Sequence, residues 1–136
     1  MAKENKVLNR LKKRWFKIKN EKALSLLCPL YPNGHKDFIP MCLEEMELHS
    51  AKNADYAGGG SPLGNFERVS EMSKMWGYDL EPYDVALIYL MKQMDAVGRM
   101  LGKGYEGQVE GIDGRLLDIS IYSKLIRILY REAKSE

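Results

Sequence analysis

The residues of this 136-residue chain that could carry chemistry lie mostly on helical spacing, and Asp118 is the sharpest case. At about 100° per residue, Leu117, Ile121, Leu125, Ile126, Ile128 and Leu129 define an apolar arc with Asp118 near its centre. A carboxylate turned toward a core needs a cation, a metal or hydrogen-bond donors, because an unpaired buried charge costs several kcal/mol or is neutralised. The partners in reach of such a position are Lys92, Arg99 and the Tyr122 hydroxyl. Asp118 then either serves a ligand or metal, or forms a structural buried pair.

A second constellation follows Pro82, where Asp84, Ile88, Lys92, Asp95 and Arg99 fall inside one arc of about 80°. Val85, Leu87, Leu90, Met91, Met94, Val97, Met100 and Leu101 cover most of the remaining circumference. A helix apolar over so wide an arc is expected to be surrounded by neighbours, which makes its charged stripe a cavity lining. The alternative is an exposed face tied by an i,i+3 pair between Lys92 and Asp95. Together these placements predict one polar pocket lined by Lys92, Arg99 and Asp118. A milder constellation is Glu44-x-x-Glu47, which shares an arc with Leu48, Ala51 and Asp55 and leaves Glu45 outside it. Two carboxylates one turn apart can hold a hard cation such as Mg²⁺ with acids from another helix, or can simply face water.

Positioning these groups requires helices, and no segment alternates with strand period. Helices are expected over residues 3–27, 39–56, 63–76, 82–101 and 113–133, which gives an all-α bundle of five helices in one domain spanning 1–136. The first ends at Cys28-Pro29 with Pro32-Asn33-Gly34 beyond it, and Pro40 and Pro82 stand where a first helical turn tolerates proline. Asp79 is the expected cap of the helix entered through Pro82. Gly58-Gly59-Gly60-Ser61-Pro62 opens the helix at Leu63, either as a phosphate seat of unpaired N–H groups or as a plain connector. Residues 102–111 read as a flexible loop.

Composition sets the class. With 45% apolar and 29% charged residues the chain can bury a core, its two cysteines are too few for a disulfide scaffold, and no apolar run approaches the roughly 20 residues of a membrane helix. No membrane partner and a reducing, cytoplasmic location are expected. Charge is uneven: residues 1–22 hold nine Lys and Arg against Glu4 and Glu21, a net +7, which leaves −5 for the rest of a chain whose total is +2. A basic arm on an acidic body can meet nucleic acid, other phosphates or a sister subunit, or be a solvated helix face.

Three signals carry little. Gly102-Lys103-Gly104-Tyr105-Glu106-Gly107 matches G-x-G-x-x-G but follows no strand, and Lys103 precedes glycine rather than the Ser or Thr of a phosphate loop. Cys28, His35, Cys42 and His49 recur every seven residues, yet Cys42 and His49 on one helix would stand about 10 Å apart, too far for one zinc. Neither cysteine has the local signature of a thiol nucleophile.

Four segments in order carry a resemblance: Lys52-Asn53-Ala54-Asp55-Tyr56, then Pro62-Leu63-Gly64-Asn65-Phe66, then Asp84-Val85-Ala86-Leu87 with Lys92 and Arg99, and last Asp113-x-x-x-x-Asp118-x-x-x-Tyr122. Over residues 41–130 the chain resembles phage members of the MazG-like all-α nucleotide pyrophosphohydrolase group, including the branch found with nucleotide-modification genes. That resemblance implies a helical bundle assembled as a homo-oligomer, with Mg²⁺ between helices and a nucleoside phosphate beside it. In catalytic members an E-x-x-E and an E-x-x-D on consecutive helices hold the metal. Here Glu44-x-x-Glu47 lies far from Asp118 in sequence, and Lys92 and Arg99 put cations where a metal site favours acids.

The departure favours a protein that binds a nucleotide, linear or cyclic, and holds it with no cofactor. Lys92 and Arg99 would meet phosphates, Tyr56, Phe66 or Tyr122 would pack on the base, and Asp118 or Asp55 would hydrogen-bond base or ribose, with Lys52, Asn65, Asp84 and Asp113 in the same ligand set. A phage protein of this kind would sequester a nucleotide signal made by host immunity. The alternative is a Mg²⁺-dependent pyrophosphohydrolase assembled from Glu44, Glu47, Asp95 and Asp118. A third reading is a nucleic-acid or protein adaptor that uses the arm at Lys12-Lys13-Arg14-Trp15.

Overall fold

The structure is a computed structural model that describes residues 2–136, with the side chains of residues 10, 11, 14, 15 and 17–136. Its elements are α1 (Ala2–Leu27), a 3₁₀ turn (Cys28–Leu30), α2 (Phe38–Ala57), α3 (Gly64–Met75), α4 (Pro82–Lys103) and α5 (Ile112–Ser135), with no strand among the described residues. Each helix ends within two residues of its expected limits. The chain divides into two compact units, residues 1–47 and 48–136, the boundary falling inside α2. No described helix is long and apolar enough to cross a membrane.

In the first unit, α1 runs into the 3₁₀ turn at Pro29. Leu11, Trp15 and Ile18 lie exposed along it, as do Arg10 and Arg14. Lys17, Lys19 and Lys22 are exposed as well, while Lys12 and Lys13 fall on side chains outside the described ones. Lys19 donates to Glu47 at 3.3 Å. A cavity of about 650 Å³ is lined chiefly by Leu27, Leu30, Tyr31, Phe38, Cys42 and Met46. Glu45, expected to face outward, is instead buried.

The second unit holds the hydrophobic core, made of Leu63 and Phe66 from the start of α3, Val85 and Ala86 from α4, and Ile121, Leu125 and Leu129 from α5. Fully burying the Leu, Phe, Val and Ile side chains contributes about 1.5–3 kcal/mol each, and the Ala86 methyl less. The arc around Asp118 therefore faces the core, except for Ile128 at its edge, which is exposed. α4 and α5 run antiparallel as a hairpin, with Tyr83 against Tyr130 at one end and Gln93 against Asp118 further along. Within α3, Ser73 donates its hydroxyl to the Ser70 carbonyl at 2.7 Å, and Ser70 donates to the Leu80 carbonyl at 2.6 Å, so both buried hydroxyls are satisfied and α3 is tied to the link before α4.

The start of α4 corrects the expected cap. Glu81, not Asp79, is the N-cap, and it forms a capping box with Asp84, whose Oδ2 accepts the Glu81 N–H at 2.9 Å. At the other end Gly104 adopts φ +70° and donates its N–H to the Met100 carbonyl at 2.9 Å, a left-handed stop that a side chain would strain. The Glu106 carboxylate accepts the Ile112 N–H at 3.0 Å and so caps α5 from the loop.

Candidate functional site

Within the second unit, four helices bring polar groups to one place. The last two turns of α2 supply His49, Lys52, Asn53 and Tyr56; the first turn of α3 supplies Asn65 and Phe66; α4 supplies Tyr89, Lys92 and Gln93; α5 supplies Asp118 and Tyr122. Spacings of three and four residues put each set on a single helix face. Two cavities result. The larger, about 410 Å³, is lined by Tyr56, Asn65, Tyr89, Lys92, Gln93 and Tyr122. The smaller, about 40 Å³, lies among Lys52, Asp118 and core residues and shares Tyr56, Asn65 and Tyr122 with the first.

The floor is a chain of polar contacts. Lys52 Nζ donates to Asp118 Oδ1 at 2.7 Å, and Gln93 Nε2 donates to Asp118 Oδ2 at 3.0 Å. Gln93 Oε1 in turn accepts from Arg115 Nη1 at 2.7 Å, and Arg115 lies 3.6 Å from Glu110. Both Asp118 oxygens are thus satisfied by donors from two other helices, and the Gln93 amide is fixed in orientation because each end has a partner. Asp118 is buried, as its place in the apolar arc demands, but its cation is Lys52 rather than Lys92 or Arg99. The reason is geometric: the last turns of α2 bring Lys52 to Asp118, whereas Arg99 lies exposed beside Asp95 and Lys92 lines the neighbouring cavity.

The walls are aromatic. Phe66, Tyr89 and Tyr122 form a triangle with ring centroids 6.0 to 6.5 Å apart and tilted or edge-on geometry. Burial pushes the Tyr122 hydroxyl up to about 12, with the nearby Asp118 carboxylate adding to the effect. Tyr122 therefore stays a protonated donor across the physiological range.

Of the residues expected in one ligand set, Lys52, Tyr56, Asn65, Phe66, Lys92, Asp118 and Tyr122 line these two joined cavities. The rest of the α4 stripe does not: Ile88, Asp95 and Arg99 are exposed, and Arg99 lies 3.8 Å from Asp95 one turn away. Arg99 lines neither cavity, so the expected pocket of Lys92, Arg99 and Asp118 loses that member. Asp84 is engaged in the α4 cap, while Asp55 and Asp113 are exposed and line neither cavity. Gln93, Tyr89 and Arg115 join the site without a place in the expected ligand set. The usable signal was the spacing of Tyr89 and Gln93 around Lys92, which places all three toward α5 and α3.

The carboxylates do not suit Mg²⁺. Asp118 already meets a lysine at 2.7 Å, Asp95 lies beside Arg99, Glu47 pairs with Lys19 and Glu44 is exposed. Among the described residues no group of three or more His, Cys, Asp or Glu side chains is disposed to hold a metal ion. Lys92 is different: it lines the larger cavity and has no ion pair among the described residues. Comparison with known protein families, curated proteins and solved structures finds no match to this chain.

Proposed function

We propose that this chain binds a nucleotide in the larger cavity of its second unit and holds it without chemistry. The observation that carries the reading is Lys92, a cation with no ion pair among the described residues, on a cavity walled by Tyr56, Tyr89 and Tyr122. A phosphate finds a charge there, a base finds ring faces, and Asn65 offers an amide able to donate and accept along a base edge. The volume of about 410 Å³ falls in the range of pockets that enclose ligands of nucleotide size. In this reading Asp118 does not touch the ligand. It holds Lys52 and Gln93 in place, so the wall behind Tyr122 is rigid before anything binds. Resemblance to MazG-like phage proteins agrees with the ligand class, and sequestration of a host nucleotide signal is the role such a binder would play.

The test is incubation of purified protein with linear and cyclic nucleotides, with and without Mg²⁺, then heat release and chromatography of the small molecules. Depletion of a nucleotide from solution and its recovery intact is the expected result, lost in Lys92→Ala. Product formed only with Mg²⁺ would replace this reading with pyrophosphate hydrolysis.

A second reading rests on the exposed Arg10, Arg14 and Trp15 of α1, a basic and aromatic surface able to engage nucleic acid. It predicts salt-sensitive DNA binding that Arg10→Ala with Lys13→Ala abolishes and Lys92→Ala leaves intact.

A further inference from the structure

We infer that α1 is an interfacial helix, which lies along an anionic phospholipid surface with one apolar line in the headgroup boundary and its cations against the lipid phosphates. The inference does not depend on the ligand reading. It departs from the expectation of no membrane partner, which rested on the lack of a spanning run, because a helix that lies on a bilayer needs neither the length nor the apolarity of one that crosses it.

The pattern on α1 comes first. Leu11, Trp15 and Ile18 are spaced four and three residues apart, which sets them on one line of the helix, and they are 56, 69 and 47% exposed. At about 100° per residue, Arg14 and Lys19 fall about 70° to either side of that line, with Arg10 and Lys17 further round. All four are exposed. Lysine and arginine at the edges of an apolar line can lay their methylenes along it and carry their charges up to a layer of phosphates. Lys19 also reaches Glu47 at 3.3 Å, but a pair so exposed opens at little cost. Lys22 follows Ile18 on the same line and closes the apolar run.

The first unit has no interior to take these side chains. Among its described residues only Glu45 is buried, and Leu30, Tyr31, Phe38 and Met41 are exposed like the apolar line of α1. Beyond the 3₁₀ turn that α1 runs into, little of the described chain packs against the helix. Apolar surface left open in this way marks a place where something else binds.

Charge selects the partner. Residues 1–22 carry nine Lys and Arg against two Glu, a net +7, so a second copy seated on this helix would bring two such arms together against their repulsion. Nucleic acid would meet the cations, but a duplex turns phosphates and polar base edges outward and leaves Leu11 and Ile18 nothing apolar to enter. Cations on both flanks of one apolar line fit a plane that is anionic at its surface and apolar beneath, which is anionic phospholipid. Trp15 has the ring and the N–H that settle at such a boundary.

Flotation of the full chain with phosphatidylcholine vesicles, with and without phosphatidylglycerol, tests this. The chain should float with the anionic vesicles, stay down with phosphatidylcholine alone, and be released as salt rises. Trp76→Phe leaves Trp15 as the one tryptophan, and its emission should shift to the blue on the anionic vesicles. Arg10→Gln with Arg14→Gln should weaken partition about thirtyfold, and Leu11→Ser with Ile18→Ser about a hundredfold, with the circular dichroism of the free chain unchanged. Met75→Ser, an exposed apolar site on α3, should float as the wild type does. Failure to float with anionic vesicles at low salt would overturn the proposal. So would flotation that survives both α1 double variants, or that Met75→Ser abolishes. A Trp15 emission that stays fixed on anionic vesicles and moves with duplex DNA would also overturn it, in favour of nucleic acid.

Discussion

Lys52 and Asp118, sixty-six residues apart, meet at 2.7 Å and join the last turns of α2 to the second turn of α5. The two ends of this pair are unequally placed: the lysine side chain is 41% exposed and the aspartate 10%. If Asp118 is neutralised, Lys52 can turn to water; if Lys52 is removed, the carboxylate keeps only Gln93. Lys52→Met should therefore destabilise the fold by about 3 kcal/mol and Asp118→Asn by about 1–2 kcal/mol, both discounted for the exposure of the lysine. Urea midpoints measure both, and equal losses would mean the carboxylate is as well solvated as its partner.

Lys92 and Arg99 lie on one stripe of α4 but only Lys92 reaches the cavity. Lys92→Ala should weaken nucleotide binding about 10- to 100-fold, the loss of one charge-assisted contact of roughly 1.5–3 kcal/mol, with little change in thermal midpoint because the side chain is exposed. Arg99→Ala should leave binding within about twofold, since its loss affects only an exposed i,i+4 pair. Calorimetric titration of both variants decides the point, and a loss with Arg99→Ala equal to that with Lys92→Ala would move the ligand off this cavity.

What the sequence reveals and what it hides divide along physical lines. Helix limits follow from proline, glycine and the 3.6-residue period, all local, and they hold within two residues. Burial of Asp118 also follows from one helix alone. Its partner does not, because choosing Lys52 over Lys92 depends on which helix brings its cation up to Asp118. The apolar majority of α4 illustrates the same limit: Leu90 and Met91 are equally apolar neighbours, one buried and the other 55% exposed. Periodicity predicts that such a helix is surrounded by neighbours, yet Leu87, Met91, Met94 and Leu101 are exposed, because its own chain packs against only one side of it. Asp84 looked like part of a charged stripe because its role, accepting the Glu81 N–H, belongs to the backbone.

That role makes Asp84 a stability residue. Asp84→Ala should cost about 1 kcal/mol by opening the capping box at the start of α4, and Glu81→Ala should cost a similar amount. Combined, the two should lose less than the sum, since each disables the same box. Nucleotide affinity should not change in Asp84→Ala, as the carboxylate lines neither cavity. Urea unfolding alongside binding separates the two effects, and loss of affinity at unchanged stability would return Asp84 to the ligand set.

Tyr122 ties stability to alkaline pH. Its hydroxyl is raised from 10.0 to about 12 by burial and by the Asp118 carboxylate, so the folded chain holds this proton more tightly than the unfolded one. The associated stability is complete below pH 10 and is lost progressively as pH rises toward 12. Phenylalanine at this position has no proton to lose, so the difference in unfolding free energy between wild type and Tyr122→Phe should be flat up to pH 10 and then fall. Urea unfolding of both chains from pH 8 to 11.5 measures that difference with the other tyrosines cancelling. A difference that stays level throughout would mean the hydroxyl is as hydrated in the folded chain as in the unfolded one, and Tyr122 could then not serve the cavity as a desolvated donor.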